Sequence, residues 1–445
     1  PLIDQFLVEY GLSSEEGVQL MRLAEALSRT TDSTTADELI TDKIMNGDWL
    51  AHCGSGHTIA MQLVGIALYC SHKWLSWSHR QSNALGKTLA DAGNAVLRRS
   101  TRFAIRALSS QFVFAETLSG ALKRAAKYHQ YRFSFDMLGE AARTQEDAAK
   151  YLAAYADALD VVAGQATSSD PRKNEGISIK LSALHPQVVP EICAQLRPLL
   201  LTARKACVQI TIDAEEAERL DISMDVLAYL VAMPELQGWD GLGFVVQAYQ
   251  KRALPLLDWL AAKAEQLGAP LVIRLVKGAY WDSEIKRAQA LGLDSYPVYT
   301  RKETTDLSYL ACAQKLLTQS DRFSPQFATH NAHSIAAIIE LAGPDRSLEF
   351  QRLFGMGQSL HDIILNRPNV SCRIYAPVGT QKDLLSYLIR RLLENGANSS
   401  FVHKLADPAI PIAELREHPI ALLSKYPAAV NDKIPAPRLY PENGR

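Results

Sequence analysis

The chain has 445 residues, with 47 Lys and Arg against 48 Asp and Glu and a formal net charge of −1. That length exceeds one ordinary hydrophobic core and calls for a large barrel plus at least one further module. A balanced charge offers no overall field for DNA, RNA or anionic lipid, so nucleic acid is not expected as a partner. Cys53, Cys70, Cys193, Cys207, Cys312 and Cys372 are scattered, with no CxxC pair and no neighbouring His at metal-ligand spacing, so no metal site is expected and a reduced, cytoplasmic protein is. The longest apolar stretch, residues 59–70, is about 12 residues long where a spanning helix needs about 20. The first residue is Pro1 rather than Met, which reads as a fragment or a processed form.

Residues 2–112 show helical periodicity with almost no period-two alternation. Ser13 or Ser14 is placed to cap a helix in which Val18, Met21, Leu23 and Leu27 share one stripe. A helical arm over 1–50 and a helical domain over 51–124 are expected, and such a terminal arm suits packing against a sister subunit, hence a homodimer. From about residue 125 to 402 short apolar strands alternate with helices, the pattern of parallel strands with crossover helices. The predicted strands are 132–138, 176–184, 208–213, 243–248, 271–279, 326–331, 348–353 and 373–377. Helices are predicted at 146–164, 190–205, 214–233, 253–267, 332–342 and 381–395. Eight repeats without a leftover strand predict an α/β fold of the (β/α)8 barrel type behind the helical region. The proline-containing stretch 403–445 reads as an extended tail or linker.

In such a barrel the chemistry gathers at the C-terminal strand ends. Polar residues fall there on seven of the eight predicted strands: Asp136 and Glu140, Lys180, Asp213, Gln247, then Arg274 and Lys277, then Thr329, His330 and Asn331, and finally Tyr375. A helix bearing Tyr387, Arg390, Arg391 and Glu394 follows the last of them. Taken singly, each has a plain explanation as a buried ion pair, a satisfied core histidine or a solvated helix face. Their convergence points to a site. Lys180, Arg390 and Arg391 suit a small carboxylic acid, with arginine able to engage it in two hydrogen bonds. The fifth strand with His330 suits a larger anionic cofactor. No GxGxxG turn follows a strand, which disfavours a nicotinamide site. A Schiff-base aldolase, with Lys180 or Lys277 as nucleophile, and a non-catalytic ligand-binding module remain as other readings.

Four segments carry a resemblance to a known family. They are 132–142 (Arg-Phe-Ser-Phe-Asp-Met-Leu-Gly-Glu-Ala-Ala), 178–186 (Ser-Ile-Lys-Leu-Ser-Ala-Leu-His-Pro), 274–281 (Arg-Leu-Val-Lys-Gly-Ala-Tyr-Trp) and 390–401 (Arg-Arg-Leu-Leu-Glu-Asn-Gly-Ala-Asn-Ser-Ser-Phe). In this order they resemble the proline dehydrogenase domain of the bacterial proline utilization A family, and the N-terminal helical region and residues 434–437 are similar to it as well. The resemblance implies oxidation of L-proline to Δ1-pyrroline-5-carboxylate by hydride transfer to N5 of a noncovalent FAD. It further implies that electrons pass to a membrane quinone, so that a cytoplasmic protein would associate peripherally with the membrane.

By the same resemblance Lys180, Arg390 and Arg391 would hold the proline carboxylate. Asp213, Tyr375 and Tyr387 would shape the pocket, and Glu140 would pair with Arg390 over the substrate. The flavin-contacting positions would be Asp213, Gln247, Arg274, Val276, Lys277, Gly278, Ala279, Tyr280, Trp281, Thr300, Thr329, His330, Asn331, Arg391, Glu394 and Phe401. Arg274 would stabilise the negative charge of the reduced flavin, and the Tyr375 ring would crowd a hydroxylated substrate. Proteins of this family continue into an aldehyde dehydrogenase, and some begin with a ribbon-helix-helix DNA-binding domain. Neither is visible here, so only the first oxidation is expected, without NAD chemistry or operator binding.

Overall fold

The computed structural model describes residues 113–142, 144–184, 188–379 and 411–439. The helical arm, the helical domain as far as residue 112, and the helix predicted at 381–395 lie outside the described residues. Two compact units divide the chain. Of the first, the described residues include Phe114 and Phe354, whose rings meet edge-on at 5.0 Å, and Gly379, whose N–H donates to Ala115 O.

The second unit is a closed barrel of eight parallel strands in sequence order. They are β1 (Arg132–Met137), β2 (Gly176–Ile179), β3 (Gln209–Ile212), β4 (Leu242–Gln247), β5 (Leu271–Val276), β6 (Phe323–Ala328), β7 (Leu348–Leu353) and β8 (Val370–Val378). Closure is made by β1 against β8, with Ser134 level with Tyr375. The helices are α1 (Leu118–Ala125), α2 (Gln145–Ala163), α3 (Val189–Lys205), α4 (Leu220–Val231), α5 (Ala253–Leu267), α6 (Trp281–Leu291), α7 (Lys302–Thr318), α8 (Ala332–Ala342), α9 (Gln358–Ile364), α10 (Ile412–Leu415) and α11 (Pro419–Ser424).

Local chemistry sets these boundaries. A capping box starts α2, in which the Thr144 hydroxyl accepts from Asp147 N–H and the Asp147 carboxylate accepts from Thr144 N–H. Gly268, at φ +69, ends α5 in the left-handed conformation. The sequence expectation overran several strands. Residues 181–183 form a 3-10 turn, so β2 stops at Ile179 and Lys180 begins the loop. Likewise β5 stops at Val276, and α6 and α7 both lie between β5 and β6. At β6 the strand begins at Phe323, three residues earlier than predicted, and takes Pro325 inside it, although a residue without an N–H argues against a strand until the partners are known.

Side chains alternate along each strand. One set, including Phe133, Phe135, Ile177, Ile210, Ile273, Phe327 and Phe350, is buried and apolar. The other set joins strands that are not neighbours, which is possible only across the barrel interior. Gln209 on β3 bonds Gln326 on β6, and Gln326 bonds Glu349. Arg373, fully buried, pairs with Glu349 at 2.8 Å and donates to the Phe133 and Asn174 carbonyls. Burying that guanidinium is tolerable because its donors meet acceptors and one partner is a carboxylate.

Residues 411–439 do not run as extended linker. They include α10, α11 and a 3-10 turn (Pro437–Leu439). Their Ile434 packs on a small core of Tyr249, Ile285, Ala288, Tyr296 and Val298.

Candidate functional site

Above the Gln326 and Arg373 layer, toward the C-terminal strand ends, the barrel interior holds a second polar network. Lys180, just beyond β2, places Nζ 2.5 Å from Asp136 Oδ1 on β1 and 3.9 Å from Asp213 Oδ2 beyond β3. Asp136 is completely buried and the Lys180 side chain is 7% exposed. Burial alone would push the ammonium to release its proton, but the carboxylates of Asp136 and Asp213 more than offset this and hold its pKa above the ordinary lysine value. Lys180 is therefore a fixed cation.

Arg274 on β5 reaches across to Asp213 Oδ1 at 2.7 Å, to Ser178 Oγ at 3.0 Å and to Ser134 Oγ at 3.1 Å. Tyr375 on β8 donates its hydroxyl to Asp213 Oδ2 at 2.7 Å, and its ring lies 5.2 Å from the Arg274 guanidinium. Burial raises both the Asp213 carboxyl and the Tyr375 hydroxyl above their usual ranges, against the opposing pull of Arg274. Five strands thus contribute Asp136, Lys180, Asp213, Arg274 and Tyr375 to one cluster, in which two cations balance two carboxylates. Within it, Asp136 Oδ2 and Arg274 Nε are buried and have no hydrogen-bond partner among the described residues.

The remaining predicted positions fall into neighbouring groups. Gln247 donates to Glu215 O at 2.8 Å. Lys277 does not join the Arg274 cluster; it turns to α7, pairs with Asp306 and lies 5.5 Å from the Tyr309 ring. Asp306 also binds Lys302 at 2.8 Å. Burial lowers the Lys277 pKa to about 8, with Asp306 opposing the shift. Val276 O accepts from Ala248 N, and Lys277 O from Tyr249 N. Gly278 has φ +134, and a Cβ there would meet the Tyr249 ring at 2.4 Å, so the backbone after β5 passes where no side chain fits. Ala279 and Tyr280 lead from it into α6, for which Tyr280 is the N-cap.

Trp281 Nε1 donates to Tyr299 O, and the Thr300 hydroxyl accepts from Asn431 N–H. Thr329 Oγ1 accepts from Asn331 N–H, His330 Nε2 accepts from Leu353 N–H at 3.0 Å, and Asn331 caps α8 through Ser334 N–H. Glu140 lies in the loop after β1. Tyr387, Arg390, Arg391, Glu394 and Phe401 lie outside the described residues.

Sequence reading assigned no role to Asp136, Ser134, Ser178 or Asp306. Asp136 carried a signal, an acid on an apolar strand one sheet position from a lysine strand. For the serines there was none, because a serine between apolar neighbours looks like any core hydroxyl. Among the described residues no group of His, Cys, Asp and Glu could hold a metal, and no helix is long and apolar enough to cross a membrane.

Comparisons with known proteins match these elements. The family model described as proline dehydrogenase covers residues 121–404. A second model, described as the DNA-binding domain of proline dehydrogenase, covers residues 2–112. Its description is at odds with the expectation that nucleic acid is no partner. "Bifunctional protein PutA" of Klebsiella aerogenes is 47% identical over 443 residues, covering 94% of this chain and 34% of the relative. "Proline dehydrogenase 1" of Bacillus subtilis (strain 168) is 28% identical over 301 residues, 66% of this chain and 89% of that protein. The crystal structure of Bradyrhizobium japonicum Proline Utilization A superposes with a TM-score of 0.74 at 43% identity, covering 98% of this chain and 45% of that one. The chain spans about a third of the length of the PutA relatives it matches.

Proposed function

The chain belongs to the proline dehydrogenase family, enzymes that are flavin-dependent in general, and from that premise we propose that it oxidises L-proline to Δ1-pyrroline-5-carboxylate on noncovalently bound FAD. The observation that carries the reading is the buried cluster of Lys180, Asp136, Asp213, Arg274 and Tyr375. It offers an ammonium that neighbouring carboxylates hold in its charged form, available to a substrate carboxylate, and a second cation among unpaired buried polar atoms. These features fit the cofactor as well: Arg274 keeps a donor without a partner among the described residues, and the Gly278 backbone fits where a side chain would collide with Tyr249. When bound, the flavin supplies the two-electron acceptor for hydride from the carbon beside the ring nitrogen.

In this proposal Lys180, with Arg390 and Arg391, holds the proline carboxylate. Its charge is secured by Asp136, so the clamp needs no proton at the moment of binding. Asp213, Tyr375 and Tyr387 limit where the ring can lie, and Glu140 pairs with Arg390 over it. The substrate reacts as the neutral amine, since the nitrogen lone pair must form the imine, and the residues contribute chiefly orientation. Arg274, held by Asp213, stabilises the negative charge that reduction would place on the cofactor. Gln247, Val276, Lys277, Gly278, Ala279, Tyr280, Trp281, Thr300, Thr329, His330, Asn331, Glu394 and Phe401 are assigned to flavin binding.

A Schiff-base aldolase needs a lysine that is neutral near pH 7 and free to attack. Lys180 is held charged, and Lys277 is engaged by Asp306. The proposal further includes a quinone as electron acceptor, peripheral membrane association, the division of the chain at 50, 124 and 402, and a homodimer made through the N-terminal helical region. Acidic residues outnumber basic ones over residues 2–50, which favours subunit contact over DNA for that arm. Anaerobic visible spectra before and after L-proline test the reaction. Flavin bands that bleach are expected; a chain that takes up FAD but keeps its bands would refute proline oxidation.

A further inference from the structure

The loop before α7 is held from outside by the C-terminal segment, and one side chain makes most of the contacts. Arg301, itself 7% exposed in its side chain, donates Nε to both Ala428 O and Val430 O, at 3.1 and 3.2 Å. Its NH2 binds Asp432 Oδ1 at 2.9 Å, and its guanidinium lies 4.0 Å from the centre of the Tyr426 ring. Asn431, within the clamped stretch, donates its N–H to Thr300 Oγ1 at 2.9 Å. A hydroxyl that accepts from a fixed amide has its proton turned elsewhere, so Thr300 is set as a donor.

The same loop is tied to the end of the barrel on its other side. Tyr299 N–H donates to Tyr249 O, and Lys251 N–H to Pro297 O. Tyr299 O takes the indole N–H of Trp281, whereas Tyr296 OH donates to Pro435 O of the C-terminal segment. Arg301 is also the N-cap residue of α7, the helix whose Asp306 holds Lys277.

We infer that Arg301 is a positioning residue for the cofactor: by clamping residues 426–432 it presents the Asn431 amide to Thr300 and fixes the loop that carries Thr300 and the Trp281 acceptor. The inference rests on the flavin reading above. Nothing in it requires Arg301 to touch the cofactor.

The test is FAD titration of the full chain, together with hydrogen exchange at residues 426–433. Arg301→Ala should speed exchange there and raise the FAD dissociation constant about five- to tenfold, the scale of one ordering hydrogen bond. Thr300→Val should weaken FAD by a similar factor, and Thr300→Ser should restore it. Adding Arg301→Ala to Thr300→Val should weaken binding by less than the product of the two single factors, because both act through one hydroxyl. If Arg301→Ala does not fold, Asp432→Ala, at a site 66% exposed, should produce the same two changes at smaller size. Faster exchange with unchanged FAD affinity, or fully additive losses in the double variant, overturns the inference. A wild-type chain that takes up no FAD overturns the flavin reading and the inference with it.

Discussion

Replacing Asp136 with Asn tests whether the proline clamp is charged because of one buried carboxylate. Asp136 is completely buried and 2.5 Å from Lys180 Nζ, whereas the next carboxylate, Asp213, stands 3.9 Å away and is already committed to Arg274 and Tyr375. In the wild type the Lys180 pKa is raised in the folded state. Its stabilisation is then fully present below the ordinary lysine pKa and is lost only as pH climbs through the higher folded value.

The amide keeps the shape and removes the charge, so burial gains the upper hand and the Lys180 pKa falls. Each unit of that fall costs about 1.4 kcal/mol. Breaking a buried pair costs about 3–5 kcal/mol, and the residual attraction of Asp213 sets the expectation near the lower end, about 3 kcal/mol. Urea unfolding measures the stability. Proline KM between about pH 7 and pH 9, taken as a ratio to wild type, measures the clamp; that ratio should rise with pH as the ammonium is lost. A variant of wild-type stability with a pH-independent ratio would refute the claim that Asp136 holds the charge.

Lys277→Met removes a cation whose folded pKa is depressed to about 8. A depressed lysine destabilises below that value, and the penalty fades as pH rises toward the unfolded lysine pKa, so wild-type stability should increase over that window. Asp306 keeps Lys302 at 2.8 Å, so the variant should gain about 1 kcal/mol or more near pH 7 in urea unfolding, while FAD dissociates more readily. Tyr375→Phe keeps the ring beside Arg274 but loses the 2.7 Å bond to Asp213, for an expected loss of about 1–2 kcal/mol. Tyr375→Ser should instead shift the kcat/KM ratio toward hydroxyproline, and an unchanged preference would remove Tyr375 from specificity. Gly278→Ala forces a methyl to 2.4 Å from the Tyr249 ring at φ +134; about 2 kcal/mol or more of destabilisation is expected from thermal unfolding.

The sequence by itself determined the barrel. Parallel strands buried on their outer face by helices must repeat as short apolar runs separated by amphipathic segments, and that period is local information. It also marked Lys180, Asp213, Arg274 and Tyr375, because a charge or hydroxyl on an apolar strand stands out against its neighbours. What it left undecided is who partners whom. Asp136 and Lys180 are 44 positions apart and meet through the pairing of β1 with β2, and Arg274 meets Ser134 across 140; strand register and closure of the barrel, with the pleat of each strand, bring them within hydrogen-bond reach.

The same holds for Lys277. Its place among the motif residues of β5 suggested the Arg274 cluster, yet it lies one residue past the strand and three from Arg274, and its side chain goes to Asp306 on α7. Likewise proline content made residues 403–445 read as free linker. Proline sets backbone dihedrals and withholds donors, but it says nothing about acceptors. The carbonyls of Ala428, Val430 and Pro435 are captured by Arg301 and Tyr296, a pairing that exists only once the barrel has placed those side chains at its rim.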